Sequence, residues 1–254
     1  WMSWRNVFSV AGLLNALLGL ACILWLKNRP HKPILMMDVA QNKAPSMGQG
    51  MWQVLKNRHT WMPLLICTGL AGSFLAFVGL TAVRYLTQVQ HISATQASAI
   101  NLCAIAGFGV GSLVVGKIAD YFARRKIIII IAGGVYCACW LPFWLQLPLG
   151  YAMSGVLFAL MGLCVSSFTL SWTLAKEVNP VVLAGTATGL VNAGAFLVTG
   201  LLQIIVGRMV DAQLTDKALG FHFGLTLLAS VAVLGWCAAW FCLETKGENC
   251  YASH

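Results

Sequence analysis

Charged residues are scarce in this sequence, and the place where they gather is the first pointer to chemistry. Only 9% of the 254 residues are charged, yet five charges fall within residues 117–126, KIADYFARRK. Asp120 stands four residues before Arg124, and Arg125 and Lys126 follow. An apolar helix ends here, so Asp120 lies at the negative end of its dipole, where a carboxylate is disfavoured. Arg124, at i+4, is the local residue that would compensate it. Glu177 and Glu244, at joints on the same side, could join Arg124 and Arg125 in one ionic network. Gly116, one turn before the Asp, would let a neighbouring helix approach closely. ARRK also reads as a simple positive anchor, which suits Arg125 and Lys126. Asp120 helps neither orientation nor solubility in a basic loop, so an anchor alone does not account for it.

A second set of polar groups lies inside apolar stretches. At 100° per residue, Thr188, Asn192, Thr199 and Gln203 fall within about 60° of one another. Long amides inside a membrane are costly enough to call for water or a ligand. Gly155, Ala159, Gly162, Ser166, Thr169 and Thr173 form another stripe, which suits either a cavity wall or close helix packing. Asn101 is a further amide in an apolar run. Arg84, beside Tyr85, would bind an anionic solute or snorkel to the interface. The candidates for a solute cavity are therefore Arg84, Asn101, Ser166, Thr169, Asn192, Thr199 and Gln203. Other chemistry finds no support. The nine cysteines are dispersed, Cys137-x-Cys139 has poor metal spacing, and the five histidines form no cluster. We expect no metal, no cofactor and no enzyme, since no nucleophile–base pair is evident.

The elements that must hold these residues follow from composition. The chain is 59% hydrophobic with mean hydropathy +0.80. Uncharged stretches run 6–26, 60–83, 85–116, 127–175, 178–207 and 218–243. A spanning helix needs about 20 apolar residues. The stretch 127–175 fits two spans joined by QLPLG, which gives seven: 6–26, 61–83, 98–116, 127–145, 152–175, 186–207 and 219–241. Helices rather than a barrel follow from span length and the lack of strict alternation. Of the sixteen Lys and Arg, twelve fall on one side and four on the other. That positive-inside pattern places the N-terminus outside and the C-terminus and the ARRK joint in the cytoplasm. The net charge of +9 therefore belongs to membrane topology, not to nucleic acid.

The last six spans repeat. LVVGKIAD (113–120) aligns with IIVGRMVD (204–211), and Val115, Gly116 and Asp120 match Val206, Gly207 and Asp211. Both copies end the second span of a triplet, so the repeat is inverted, a transporter signature. Ser, Thr, Asn and Gln number 3, 3, 0, 6, 5 and 2 in spans two to seven. The third member of each triplet is the poorest and is expected to face lipid; the others should face protein or a cavity. Residues 27–60, with Pro30, Pro33 and Pro45, read as a cytoplasmic linker between span 1–26 and a bundle at 61–254. Its end, GMWQVLKNRHTW, forms either an irregular loop or an amphipathic helix. In the helix, Met51, Val54 and Leu55 would face headgroups and Gln53, Lys56 and Asn57 water. A chain beginning at Trp1 outside the membrane, at a span's edge and without a signal peptide, is expected to be part of something longer.

These residues resemble a known family. GKIADYFARRK is similar to the cytoplasmic signature of the major facilitator superfamily, G-x-L-x-D-x-x-G-R-[KR], between the eighth and ninth of its twelve helices. Gly116, Asp120 and Arg124 hold its positions, and Ala123 stands where it has a second glycine. SWRNVF resembles the start of the family's sixth helix, AKEVNPVVLAGTATGLVNAG the tenth-to-eleventh joint of bacterial members, and LETKG the tail of sugar porters without its proline. The resemblance implies an all-α integral membrane fold: a C-terminal six-helix bundle of two inverted three-helix repeats, plus the preceding helix. It implies part of a secondary transporter of a bacterial inner membrane, moving a small solute by alternating access with an absent N-terminal half. There the Asp of the signature also meets the other half and helps latch the cytoplasmic side. The amides and Arg84 favour an organic anion or amino-acid-like solute; a drug or cation exporter and a non-transporting sensor are the alternatives. Every acid lies in a loop or at a span end, so a proton-coupling acid is expected in the missing half, unless the protein is a uniporter or exchanger.

Overall fold

The computed structural model describes residues 4–26, 46–213 and 216–251. Lys27, Arg29, Lys32, Asp38, Lys43 and the three prolines of the loop lie outside these residues. The chain divides into two compact units, Trp1–Lys43 and Ala44–His254. The first contains α1 (Trp4–Trp25). Its polar side chains bond within the helix: Ser9 donates to the Arg5 carbonyl at 3.0 Å and Asn15 to that of Ala11 at 2.8 Å. That satisfies them without water.

The second unit begins with the short α2 (Met47–Lys56). Six long helices follow: α3 (Arg58–Gln88), α4 (Ala94–Phe122), α5 (Arg125–Trp144), α6 (Tyr151–Glu177), α7 (Val181–Ala212) and α8 (Lys217–Phe241). With α1 they make seven helices, among the described residues, long and apolar enough to cross a membrane. No strand occurs among those residues. The fold class expected from the sequence, a six-helix bundle with one further apolar helix before it, is the one observed.

Helix starts follow local capping. Ser46 and Gln49 form a reciprocal capping box at α2, a pattern legible in SMGQ. Ser93 and Asp216 cap α4 and α8 through the backbone N–H groups of Gln96 and Leu219. These side chains satisfy amides that the helix itself leaves unpaired.

Small residues set the closest packing. A Cβ on Gly162 of α6 would collide with the Ala104 backbone of α4, and one on Gly107 of α4 with that of Ala159. Gly69 of α3 and Gly235 of α8 cross so closely that a Cβ on Gly235 would lie 2.7 Å from the Gly69 Cα. In hydrocarbon, where helices gain little from hiding apolar surface, such close contact is a main source of association. The other binding element is aromatic. Phe77 sits at the centre of a buried cluster, its ring 5.0 Å from Trp140, 5.4 Å from Phe143 and 5.3 Å from Phe158.

Among the six long helices, the second members of the triplets, α4 and α7, bury the smallest share of their residues within this bundle. The open faces of α4 and α7 carry large apolar residues, among them Leu102, Leu113, Phe196 and Leu197.

Candidate functional site

Two constellations are built by this scaffold, one at the basic end of the bundle and one within the span of α3. At the basic end, α4 stops at Phe122 and the chain turns through Ala123, which is left-handed at φ 48°. The turn breaks helical spacing, so the i+4 pairing of Asp120 with Arg124 does not form. Arg124 is exposed and serves as the extended backbone residue before α5. Arg125, in the first turn of α5, takes the expected role instead. Its guanidinium pairs with Glu177 and lies 3.7 Å from Asp120.

Three elements converge on Arg125. Its backbone N–H donates to the Glu244 carboxylate at 3.0 Å, so Glu244 caps α5 at the positive end of its dipole, where a carboxylate is favoured. Thr245 is buried and its hydroxyl donates to Glu177. The Cys250 backbone N–H donates to the Glu177 carbonyl at 2.8 Å. The side chains of Arg125 and Glu177 are only 12% and 11% exposed. A pair so enclosed is costly to break, because the survivor remains charged away from water. Gly116 does not have its expected close contact within this bundle: a Cβ there would meet nothing within 4 Å.

A second polar lattice adjoins this one and was not anticipated. Asn57, at the α2–α3 joint, donates to the Val178 carbonyl at 2.6 Å. Asn179 is fully buried and donates to the Thr60 hydroxyl and the Ala175 carbonyl, both at 2.8 Å. Asn249 of the tail donates to the Asn179 carbonyl at 3.0 Å. Asparagine side chains bond backbone groups freed at helix ends, and VNP after a span is a signal that could have been read.

Within α3, residues Phe77–Thr81 form a π-helical segment. Such segments release backbone groups from the regular ladder and often mark functional sites. Phe77 anchors it in the aromatic core, while Gly79 and Leu80 are exposed. Asn101 of α4 donates to the Val78 carbonyl at 3.0 Å, and its own amide oxygen is buried with no partner. Gln203 of α7 reaches the next residue: its amide nitrogen lies 2.9 Å from where a Cβ on Gly79 would stand. Two of the predicted cavity residues thus converge on consecutive residues of one distorted segment.

The other candidates go elsewhere. Ser166 is buried in helix packing, donating to the Leu163 carbonyl at 2.7 Å and lying against Gly111. It is packing rather than cavity wall. Thr169 donates to the Ser166 carbonyl at 2.8 Å, and the two bound a short 3-10 turn inside α6. Thr199 is buried and donates to the Ala195 carbonyl at 2.8 Å; Asn192 is half-buried. Arg84 pairs with Asp211 of α7 at 3.0 Å. Asp211 is the repeat counterpart of Asp120. Each lies at a C-terminal helix end, and each is compensated by an Arg from another helix.

Seven apolar helices, one of them with a π segment bonded by an amide of its neighbour, define a multi-pass helical membrane protein. The family model described as Major Facilitator Superfamily matches residues 1–201, and the chain belongs to that family. It is 29% identical over 153 residues to an uncharacterised transporter of this type, YfnC of Bacillus subtilis (strain 168), covering 59% of this chain and 36% of that protein. In fold it is similar to the proton:xylose symporter XylE bound to 6-bromo-6-deoxy-D-glucose. There the TM-score is 0.58 at 14% identity, over 78% of this chain and 46% of XylE. The chain thus spans less than half the length of both.

Proposed function

We propose that the chain forms one half of a secondary transporter that moves a small polar solute by alternating access. The observation that carries this reading is the π segment of α3, exposed at Gly79–Leu80, held by Asn101 and bordered by Gln203, with a buried amide oxygen left without a partner. A buried, unpaired acceptor is costly, and a donor on a solute would satisfy it. The exposed apolar faces of α4 and α7 suit an N-terminal half packed against them. Organic anions and amino-acid-like solutes fit the amides, with Arg84 supplying a cation once it leaves Asp211. The side bearing Arg125 would be cytoplasmic in a bacterial inner membrane, where its ion pairs would latch the bundle. No carboxylate lies at mid-span among the described residues, so proton coupling would use the other half.

Solute uptake by the full-length protein tests this. Asn101→Leu and Gln203→Leu should each raise KM about tenfold, the effect of losing one hydrogen bond to a buried group, with expression maintained. Thr226→Leu on α8, whose hydroxyl bonds its own helix at 2.7 Å, should leave uptake unchanged. Equal behaviour of all three would reduce the segment to a packing feature.

A further inference from the structure

A cavity of about 750 Å³ opens at the basic end, between α2, the head of α3 and the chain after α8. One stripe of α2 walls it, since Gln49, Trp52, Gln53 and Lys56 recur at i, i+3, i+4 and i+7. The helix is fixed by its other face, where Gly50 and Val54 are buried. Val54 therefore packs on protein rather than facing headgroups as the sequence suggested. Arg58 and His59 form the second wall. Tyr251 closes the third, its hydroxyl accepting from the Gln53 amide at 3.3 Å.

The lining chemistry is one-sided. Lys56, Arg58 and His59 face the cavity, with amides and a phenol, and no carboxylate lines it among the described residues. The Lys56 ammonium stands 5.4 Å from the centre of the Trp52 ring, which holds the charge without neutralising it. Arg58 uses one of its five donors on His59, its Nε donating to Nε2 at 3.4 Å. In a chain this poor in charge, a cavity lined by two cations and an imidazole, with no carboxylate in its lining among the described residues, suits an anion.

The surroundings say where the anion comes from. Met47, Met51 and Trp52 of α2 and Trp61 of α3 are exposed, as suits an amphipathic helix lying in a membrane interface. We propose that this cavity binds a phosphate-bearing anion, supplied by the headgroup of an anionic phospholipid, and that such a lipid clamps α2 and the tail onto the bundle. Basic pockets at the ends of spanning helices suit such headgroups by the same electrostatics.

Melting curves of the delipidated full-length protein in neutral detergent test this. Phosphatidylglycerol should raise the melting temperature where phosphatidylcholine does not. Lys56→Gln with Arg58→Gln should weaken the apparent affinity roughly fivefold per charge, about thirtyfold together. Lys117→Gln with Lys176→Gln removes equal charge from exposed positions on the same side and should change nothing. Gln53→Glu, which adds a carboxylate at nearly constant size, should also abolish the shift and serves if the double variant fails to fold. A rise with glycerol 3-phosphate, lost in the same variants, would keep the phosphate site and name a soluble source. No rise with either ligand, or equal rises in wild type and the cavity variants, overturns the proposal.

Discussion

Ala123 holds a backbone conformation that glycine adopts freely and alanine does not, at φ 48°. The family signature places glycine there. Ala123→Gly should therefore raise stability by about 0.5–1 kcal/mol, the relief of left-handed strain less the extra freedom of the unfolded chain, measured by unfolding in detergent. The same turn separates two neighbouring arginines. Arg125→Gln leaves Glu177 buried without its counter-charge and should cost about 3 kcal/mol. Arg124→Gln, at an exposed position, should stay within about 0.5 kcal/mol. Equal losses would show that the ion pairs around Arg125 contribute nothing of their own. The residue types of this network, Asp120, Arg125, Glu177 and Glu244, were legible in the sequence. The arginine that meets Asp120 was not, because i+4 arithmetic assumes a helix that continues, and this one ends at Phe122.

Glycine means different things in different helices. Gly69 and Gly235 meet backbone to backbone, so Gly69→Val should separate α3 from α8 and sharply reduce folded yield, as overpacking costs of 1–3 kcal/mol or more imply. Gly116 meets nothing within 4 Å in this bundle. Gly116→Ala should leave bundle stability unchanged to within about 0.5 kcal/mol, while a loss of transport without loss of fold would place its contact on the other half. Size-exclusion yield and uptake separate the two outcomes. The stripe Gly155–Thr173 announced small residues on one face but not their partner. Gly162 and Ser166 proved to pack against α4 because the match of two surfaces is a property of a pair of helices. The π segment was invisible for a related reason: FVGLT carries no breaker that demands it, and the amides that bond and border it come from α4 and α7.

For the whole molecule, charge placement makes a prediction about topology. In a cysteine-free background, single cysteines at Gln49 and Ala123 should react with an impermeant reagent from the cytoplasmic side alone, and one at Gln213 from outside alone. Labelling at Ala123 from outside intact cells would reverse the orientation. The sequence by itself determined the number of membrane helices, their limits to within a few residues and the joints where charge collects. It could do so because hydrocarbon forces every backbone group into a helix and excludes charge from its length, which are local demands written residue by residue. Only the tertiary structure decided which arginine meets Asp120, that Arg84 rests on Asp211, that Ser166 is packing, and that Asn101 and Gln203 share one distorted segment. The last three depend on distances between groups tens to more than a hundred residues apart, set by how glycine faces and the aromatic core let the helices approach, and the first on the turn at Ala123 that ends one helix; no pattern within a single helix encodes them.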